Sequence, residues 1–272
     1  MKKIKVVILR TAGTNCDKET AFAFESAGAS TELVHVNQLS RGVKTLDDYQ
    51  ILAIPGGFTY GDDIASGKIL ANELKFAIEE ELERFVNAGK LILGICNGFQ
   101  VLVKAGILPN LTGDFKTIEA TLTLNDSNKF EDRWVYLKRG QKSAARSQNR
   151  CIWTKGISEI IRLPVAHGEG KFIPKDKGVL NRLKNDGLIA LRYVDENGKV
   201  AGYPENPNGA IEDIAGMCDP TGRIFGLMPH PERHLSPYQH PEWTRRAVEK
   251  QGGEGDGLII FKNGVNFAKK YL

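Results

Sequence analysis

Short apolar runs alternating with helical spacing fill the first hundred residues, and they constrain the fold more than any other feature. Lys5 to Leu9 is a near-continuous apolar run, the pattern of a strand buried on both faces. Asp17 to Ala27 follows with helical spacing and stops at Gly28, a helix-ending residue. Thr31 to Val36 reads as a second strand, and Gln50 to Ile54 as a third that ends at Pro55-Gly56-Gly57. Lys68 to Ala88 reads as one long amphipathic helix closed by Gly89. Lys90 to Ile95 is another fully apolar strand, followed by Cys96, and Asn97 to Ala105 is a short helix closed by Gly106. Alternation of this kind implies a parallel sheet with right-handed crossovers.

The second half carries a different pattern. Glu119 to Leu124, Trp134 to Lys138, Ile161 to Ala166 and Leu188 to Val194 read as strands without long helices between them. Asn197-Gly198 is a hairpin-type turn. Ala210 to Cys218 and Arg223 to Met228 read as strands flanking the turn Asp219-Pro220-Thr221-Gly222. Helical spacing returns at Glu242 to Lys250 and Leu258 to Lys270. The expected class is α/β: a flavodoxin-like, mostly parallel sheet flanked by helices, with an added antiparallel β portion in the second half.

The chain has 272 residues, the size of one large domain. A formal net charge of +4 is small for that length and gives no warrant for nucleic-acid binding. No apolar run approaches the roughly 18–20 residues that span a bilayer. The apolar run after Met1-Lys2-Lys3 is too short for a signal peptide, ends at Arg10, and reads as a first buried strand. The four cysteines, Cys16, Cys96, Cys151 and Cys218, show no CxxC spacing, so neither a zinc site nor a disulfide framework is expected. The expectation is a reducing, cytoplasmic compartment and at least one free thiol. Lys138 to Arg150 holds five basic residues and no acidic one, the composition of a solvated loop or of a docking surface.

Cys96 is the candidate nucleophile. It ends an apolar strand and opens a short helix, the strand-turn-helix of a nucleophile elbow. Gly94 and Gly98, two residues to either side, leave room for a tight turn. The helix N-terminus favours thiolate at the sulfur and offers free N–H groups to an oxyanion. A lone cysteine is more often a packed residue, and the flanking glycines set this one apart. A nucleophilic thiol needs a base, and there are five histidines. His230 follows a strand, stands between Pro229 and Pro231, and has Glu232 two residues on, where a carboxylate can orient the ring. His35 falls in a strand pattern and reads as a packed residue; His234 and His240 read as surface positions. The Gly56-Gly57 pair lies at a strand's carboxyl end, the edge where open α/β sheets place their sites, and suggests the second half of an oxyanion hole.

Two segments then carry a resemblance. Gly94-Ile95-Cys96-Asn97-Gly98-Phe99-Gln100 resembles the nucleophile motif of triad-type (class I) glutamine amidotransferases, and Met228-Pro229-His230-Pro231-Glu232 resembles their His-Pro-Glu motif. Gly13-Thr14-Asn15-Cys16-Asp17, Pro55 to Asp62, Ala166-His167-Gly168-Glu169-Gly170 and Asn206-Pro207-Asn208-Gly209 are similar to the glutaminase subunits of phosphoribosylformylglycinamidine synthase. The resemblance implies a single glutamine amidotransferase type 1 domain over residues 1–272. It implies Cys96 as nucleophile, His230 as acid and base, Glu232 as its orienter, and the backbones of Gly57 and Asn97 as oxyanion donors. Gln100, His167 and Glu169 match positions near the glutamine pocket or the partner interface. No metal or cofactor is implied for this chain. ATP and magnesium belong to a large synthetase subunit that receives the ammonia, with a small subunit bridging the two. The absence of a GxxxxGK[ST] pattern agrees with that division. One departure is Ala210, where the family often has Ser.

Two other readings compete. A stand-alone hydrolase of γ-glutamyl compounds could use the same triad, but the motifs at residues 55–62 and 166–170 speak against it. A non-catalytic binding protein on the same scaffold would not need Cys96, His230 and Glu232 together.

Overall fold

The computed structural model describes residues 3–140, 150–246 and 253–272. In chain order its elements are β1 (Lys5–Arg10), α1 (Asp17–Ser26), β2 (Ser30–His35), α2 (Val36–Ser40), β3 (Ile51–Ile54), α3 (Lys68–Ala77), α4 (Glu79–Asn87), β4 (Leu91–Ile95) and α5 (Asn97–Lys104). They continue with β5 (Ala120–Leu124), β6 (Glu131–Arg139), β7 (Ile160–His167), β8 (Glu169–Pro174), α6 (Lys177–Asn185), β9 (Ile189–Val194), β10 (Ile214–Cys218), β11 (Ile224–Leu227), α7 (Trp243–Arg246) and α8 (Leu258–Tyr271).

The main sheet has nine strands in the order β2-β1-β3-β4-β11-β10-β9-β6-β7. From β2 to β11 every pairing is parallel; from β11 to β7 every pairing is antiparallel. β5 and β8 form a separate antiparallel pair. The α/β expectation holds, and its antiparallel extension lies in the second half. β1, β3 and β4 are buried almost throughout because helices cover both faces, which is why they read as unbroken apolar runs. No described helix is long and apolar enough to cross a membrane.

Several local expectations need correction. The long helix over residues 68–88 is two helices, broken at buried Ile78 (φ −138°, ψ 20°). Glu79, Glu80 and Glu81 then occupy a new first turn, where the helix dipole favours acidic side chains. Glu81 also accepts hydrogen bonds from the Thr45 hydroxyl (2.7 Å) and the Leu46 N–H (2.6 Å), anchoring α4 in its own direction. Helix α6 was not expected; its signal is Asp176, whose side chain caps the Val179 N–H at 2.9 Å. The turn at Asn197-Gly198 forms, but no strand follows it. The first residues of the strand expected at Ala210 are a single 3₁₀ turn.

His35 is exposed, and its ring caps the Asn37 N–H. His234 and His240 are buried, at 3% and 2% exposure, because the segment after residue 233 folds back over β6 and β7. Both rings pack on Trp134, and the His234 Nδ1 meets the Arg162 carbonyl at 2.8 Å. Most of the basic stretch Lys138 to Arg150, and the end of the helix expected at Glu242 to Lys250, lie outside the described residues.

Candidate active site

The site forms because β3, β4 and β11 are parallel neighbours, so their carboxyl-end loops open on one edge. Ile54 pairs with Gly94, and Leu227 with Ile95. The loop at residues 55–58, the Cys96 elbow and the segment at residues 228–233 are therefore adjacent. The Cys96 N–H donates to the Leu227 carbonyl at 2.8 Å, and the His230 N–H to the Pro164 carbonyl at 2.8 Å.

Cys96 stands at φ 49°, ψ −105°, a backbone conformation that L residues avoid and that costs of order 1–3 kcal/mol. The neighbouring glycines allow it. A Cβ on Gly98 would overlap the Ile54 carbonyl, and one on Gly94 would lie 2.7 Å from the Gly98 oxygen. The sulfur is 3.7 Å from the Ala166 carbonyl oxygen. Asn97 is the first residue of α5, so its N–H has no place in the helical ladder. Gly57 adopts φ 141°, and a Cβ there would come within 2.8 Å of both the Asn15 nitrogen and the Gly13 oxygen.

His230 is buried, and its Nδ1 lies 2.6 Å from a Glu232 carboxylate oxygen. Its Nε2 makes no hydrogen bond of ordinary geometry, while Cys96 and Cys16 both act on the ring. Burial alone would lower the imidazole's pKa. The Glu232 carboxylate, followed by Cys96 and Cys16, outweighs it and holds the ring well above its usual range. The arrangement favours the protonated imidazolium.

The other expected residues surround a cavity of about 20 Å³ lined by Gly57, Cys96, Gln100, His167 and Glu169, among others. Gln100 donates from Nε2 to the Glu169 backbone carbonyl and accepts from the Asn97 amide at 3.0 Å. The Asn97 side chain also accepts from the Thr59 hydroxyl (2.7 Å) and donates to Asp62 (3.2 Å), tying α5 to the glycine-bearing loop. Buried Lys104 closes the network, donating to the Ser66 carbonyl (2.6 Å) and to Glu169 (3.3 Å). Burial lowers the Lys104 pKa and raises that of Asp62. Sequence reasoning missed Lys104 and Asp62, since charged residues on a helix and in a loop carry no sign of where they point.

His167 lines the same cavity. Its Nδ1 meets Asn125 Oδ1 at 3.1 Å. Burial first, then the nearby His230, push its pKa down to about 3. An unfolded histidine titrates near ~6.5, so below that pH the unfolded chain binds a proton that native His167 refuses, and stability falls as pH drops. Going from pH 7 to pH 5 should cost about 2 kcal/mol through this residue. Urea melts at the two pH values should show a flatter pH dependence for His167→Gln. An unchanged slope would place the acid sensitivity elsewhere.

Sequence reasoning also passed over Cys16 and Arg233. Cys16 is buried; the Arg233 guanidinium donates to its sulfur at 3.2 Å. Among the described residues, Cys16, His230 and Glu232 are the group of metal-type donors that cluster, within 4.8 Å of one another. The guanidinium on the sulfur and the bond between Nδ1 and Glu232 already engage those donors. A sequence signal existed: Cys16 follows β1, so it opens on the same sheet edge as Cys96.

Comparison with known proteins identifies the family. The sequence profile of the CobB/CobQ-like glutamine amidotransferase domain matches residues 3–268. A phosphoribosylformylglycinamidine synthase subunit PurQ of Dehalococcoides mccartyi is 48% identical over 271 residues, covering 99% of this chain and 100% of the relative. The protein of that name from Methanococcus maripaludis is 44% identical over 275 residues, covering 98% of each chain. Among solved structures, a chain in the structure of PurLQS from Thermotoga maritima is 31% identical with a TM-score of 0.71, covering 98% of this chain and 99% of that one. A family profile over residues 3–268 and relatives that match the chain nearly end to end place the protein in the CobB/CobQ-like glutamine amidotransferase family, among its PurQ subunits.

Proposed function

We propose that this chain is the glutaminase subunit of a phosphoribosylformylglycinamidine synthase, releasing ammonia from glutamine for a synthetase subunit in purine biosynthesis. The observation that carries the chemistry is the positive-φ Cys96 elbow acting on a His230 ring held 2.6 Å from Glu232. The Cys96 thiolate attacks the side-chain carboxamide of glutamine. The N–H groups of Gly57 and Asn97 hold the resulting oxyanion, and His230 gives its proton to the departing nitrogen. Ammonia leaves, and a γ-glutamyl thioester remains on Cys96. His230 then takes a proton from water, whose oxygen attacks the thioester, and glutamate and the thiol are released. Glu232 keeps the imidazole oriented throughout. Gln100, His167 and Glu169 border the substrate.

Bulk water would protonate free ammonia, so it must pass directly to a partner. The relative in Thermotoga maritima belongs to a structure of PurLQS, which supports a large synthetase and a small bridging subunit as partners here. In this reading ATP and magnesium act on the synthetase, this chain needs no cofactor, and the complex is cytoplasmic.

A glutamine-like alkylating agent tests the site. Peptide mapping should find Cys96 labelled well ahead of Cys16, Cys151 and Cys218, since Cys96 lines the cavity beside the base. Equal labelling of all four would remove the assignment.

A further inference from the structure

The structure assigns a second thiol to the catalytic base: we infer that Cys16 is a positioning residue that fixes His230 and couples it to the loop bearing the Gly57 oxyanion donor. The inference rests on the reading of Cys96 and His230 as nucleophile and base.

The segment from Ala12 to Cys16 is stitched to the glycine-bearing loop along its length. The Phe58 N–H donates to the Gly13 carbonyl (2.9 Å), the Tyr60 N–H to the Ala12 carbonyl (2.8 Å), and the Cys16 N–H to the Gly56 carbonyl (3.2 Å). Thr14 and Gly57 form an antiparallel bridge. The peptide before Gly57 is thus held from the side opposite the nucleophile helix.

The Cys16 side chain extends the same brace to the base. A Cβ built on Gly56 would lie 2.8 Å from the His230 Cε1, 3.4 Å from its Nδ1 and 3.4 Å from the Cys16 sulfur, so ring, sulfur and loop meet at one point. The sulfur is itself oriented. Its S–H donates to Asn15 Oδ1 at 3.4 Å, and it accepts from Arg233 at 3.2 Å. With Asn15 and Arg233 both engaging it, the sulfur is held facing the imidazole beside Gly56. Arg233 follows Glu232 directly, so the sulfur grips the segment that carries the catalytic pair. Two motifs distant in sequence, at residues 13–17 and 228–233, therefore hold one another in register. A mobile imidazole would lose alignment with the sulfur of Cys96, and misplacement by about 1 Å costs roughly a hundredfold in rate.

The test is steady-state glutaminase kinetics on the complete complex, with Cys96→Ala as reference. Cys16→Ala should lower kcat by about ten- to a hundredfold and leave KM within about twofold. Cys16→Ser should recover most of the loss, because a hydroxyl can still donate to Asn15 and accept from Arg233. Exposed Asn15 offers a variant that spares the buried sulfur; Asn15→Ala should lower kcat severalfold. In ¹⁵N-histidine spectra the His230 nitrogens should shift in Cys16→Ala while those of exposed His35 stay in place. Unchanged kcat in both Cys16→Ala and Asn15→Ala would overturn the inference. So would a serine variant as slow as the alanine one, or, if Cys16→Ala does not fold, a fully active Asn15→Ala. Glutaminase activity surviving in Cys96→Ala would instead remove the reading beneath it.

Discussion

Replacing Cys96 by alanine or serine should abolish glutamine-dependent synthesis by the assembled complex and leave ammonium-dependent synthesis intact. In the proposed mechanism the sulfur is the atom that becomes acylated, so its loss removes the covalent route rather than weakening it. Loss of a triad nucleophile costs on the order of 10⁶ in kcat. Nothing in the fold requires the thiol. Cys96 contributes a small side chain at an elbow whose geometry is set by Gly94, by Gly98 and by the backbone bond to Leu227. A serine there keeps the volume but has a hydroxyl far less acidic than a thiol. The measurement is product formation with glutamine and, separately, with ammonium. If the substitution also removes ammonium-dependent synthesis from a complex shown to be assembled, the division of labour between this chain and its synthetase is wrong.

The isolated chain should be a poor glutaminase that its synthetase partner activates. The cavity beside Cys96 measures about 20 Å³, which is space for about one water and not for a glutamine side chain. Its walls are held by the network from Asn97 through Asp62 and Ser66 to Lys104 and Glu169. The loop in that wall carries Tyr60, Gly61 and Asp62 at successive positive φ values, a conformation that ordinary side chains avoid. Such a segment has relaxed alternatives, and a partner that binds the open form better would shift it. A flipped peptide at Gly57 would remove one oxyanion donor, worth about 3 kcal/mol, or a hundredfold or more in rate. Steady-state rates for the chain alone and with saturating partner decide the matter. Equal rates would leave the partner a role in ammonia transfer only.

The chemistry of the site was written largely in local sequence. An apolar strand meeting a short helix at Gly94-Ile95-Cys96-Asn97-Gly98 specifies an elbow wherever it occurs, because only glycine permits the close approach of Ile54 and of the Gly98 peptide. Pro229-His230-Pro231-Glu232 likewise specifies an imidazole beside a carboxylate, since the two residues lie within one short turn. The α/β class followed from strands buried on both faces, a property each strand displays by itself.

What brings these segments together was not local. The antiparallel pattern of the second half gave no sign that β11 would enter the parallel half beside β4, and that pairing carries His230 to Cys96. Register between strands far apart in sequence is set by the packing of the whole sheet. The burial of His234 and His240 depends on where the tail after residue 233 lies, and the break at Ile78 on what α4 docks against. Cys16 is the clearest case. Its sequence context puts it at the carboxyl end of a strand, on the edge where the site lies, but its place against the base follows from β1 and β3 being neighbours in the sheet, which sets its loop against Gly56. A side chain's chemical type can be read from the sequence, but its partner is decided by the tertiary structure, because contacts between distant segments exist only once the sheet has closed around them.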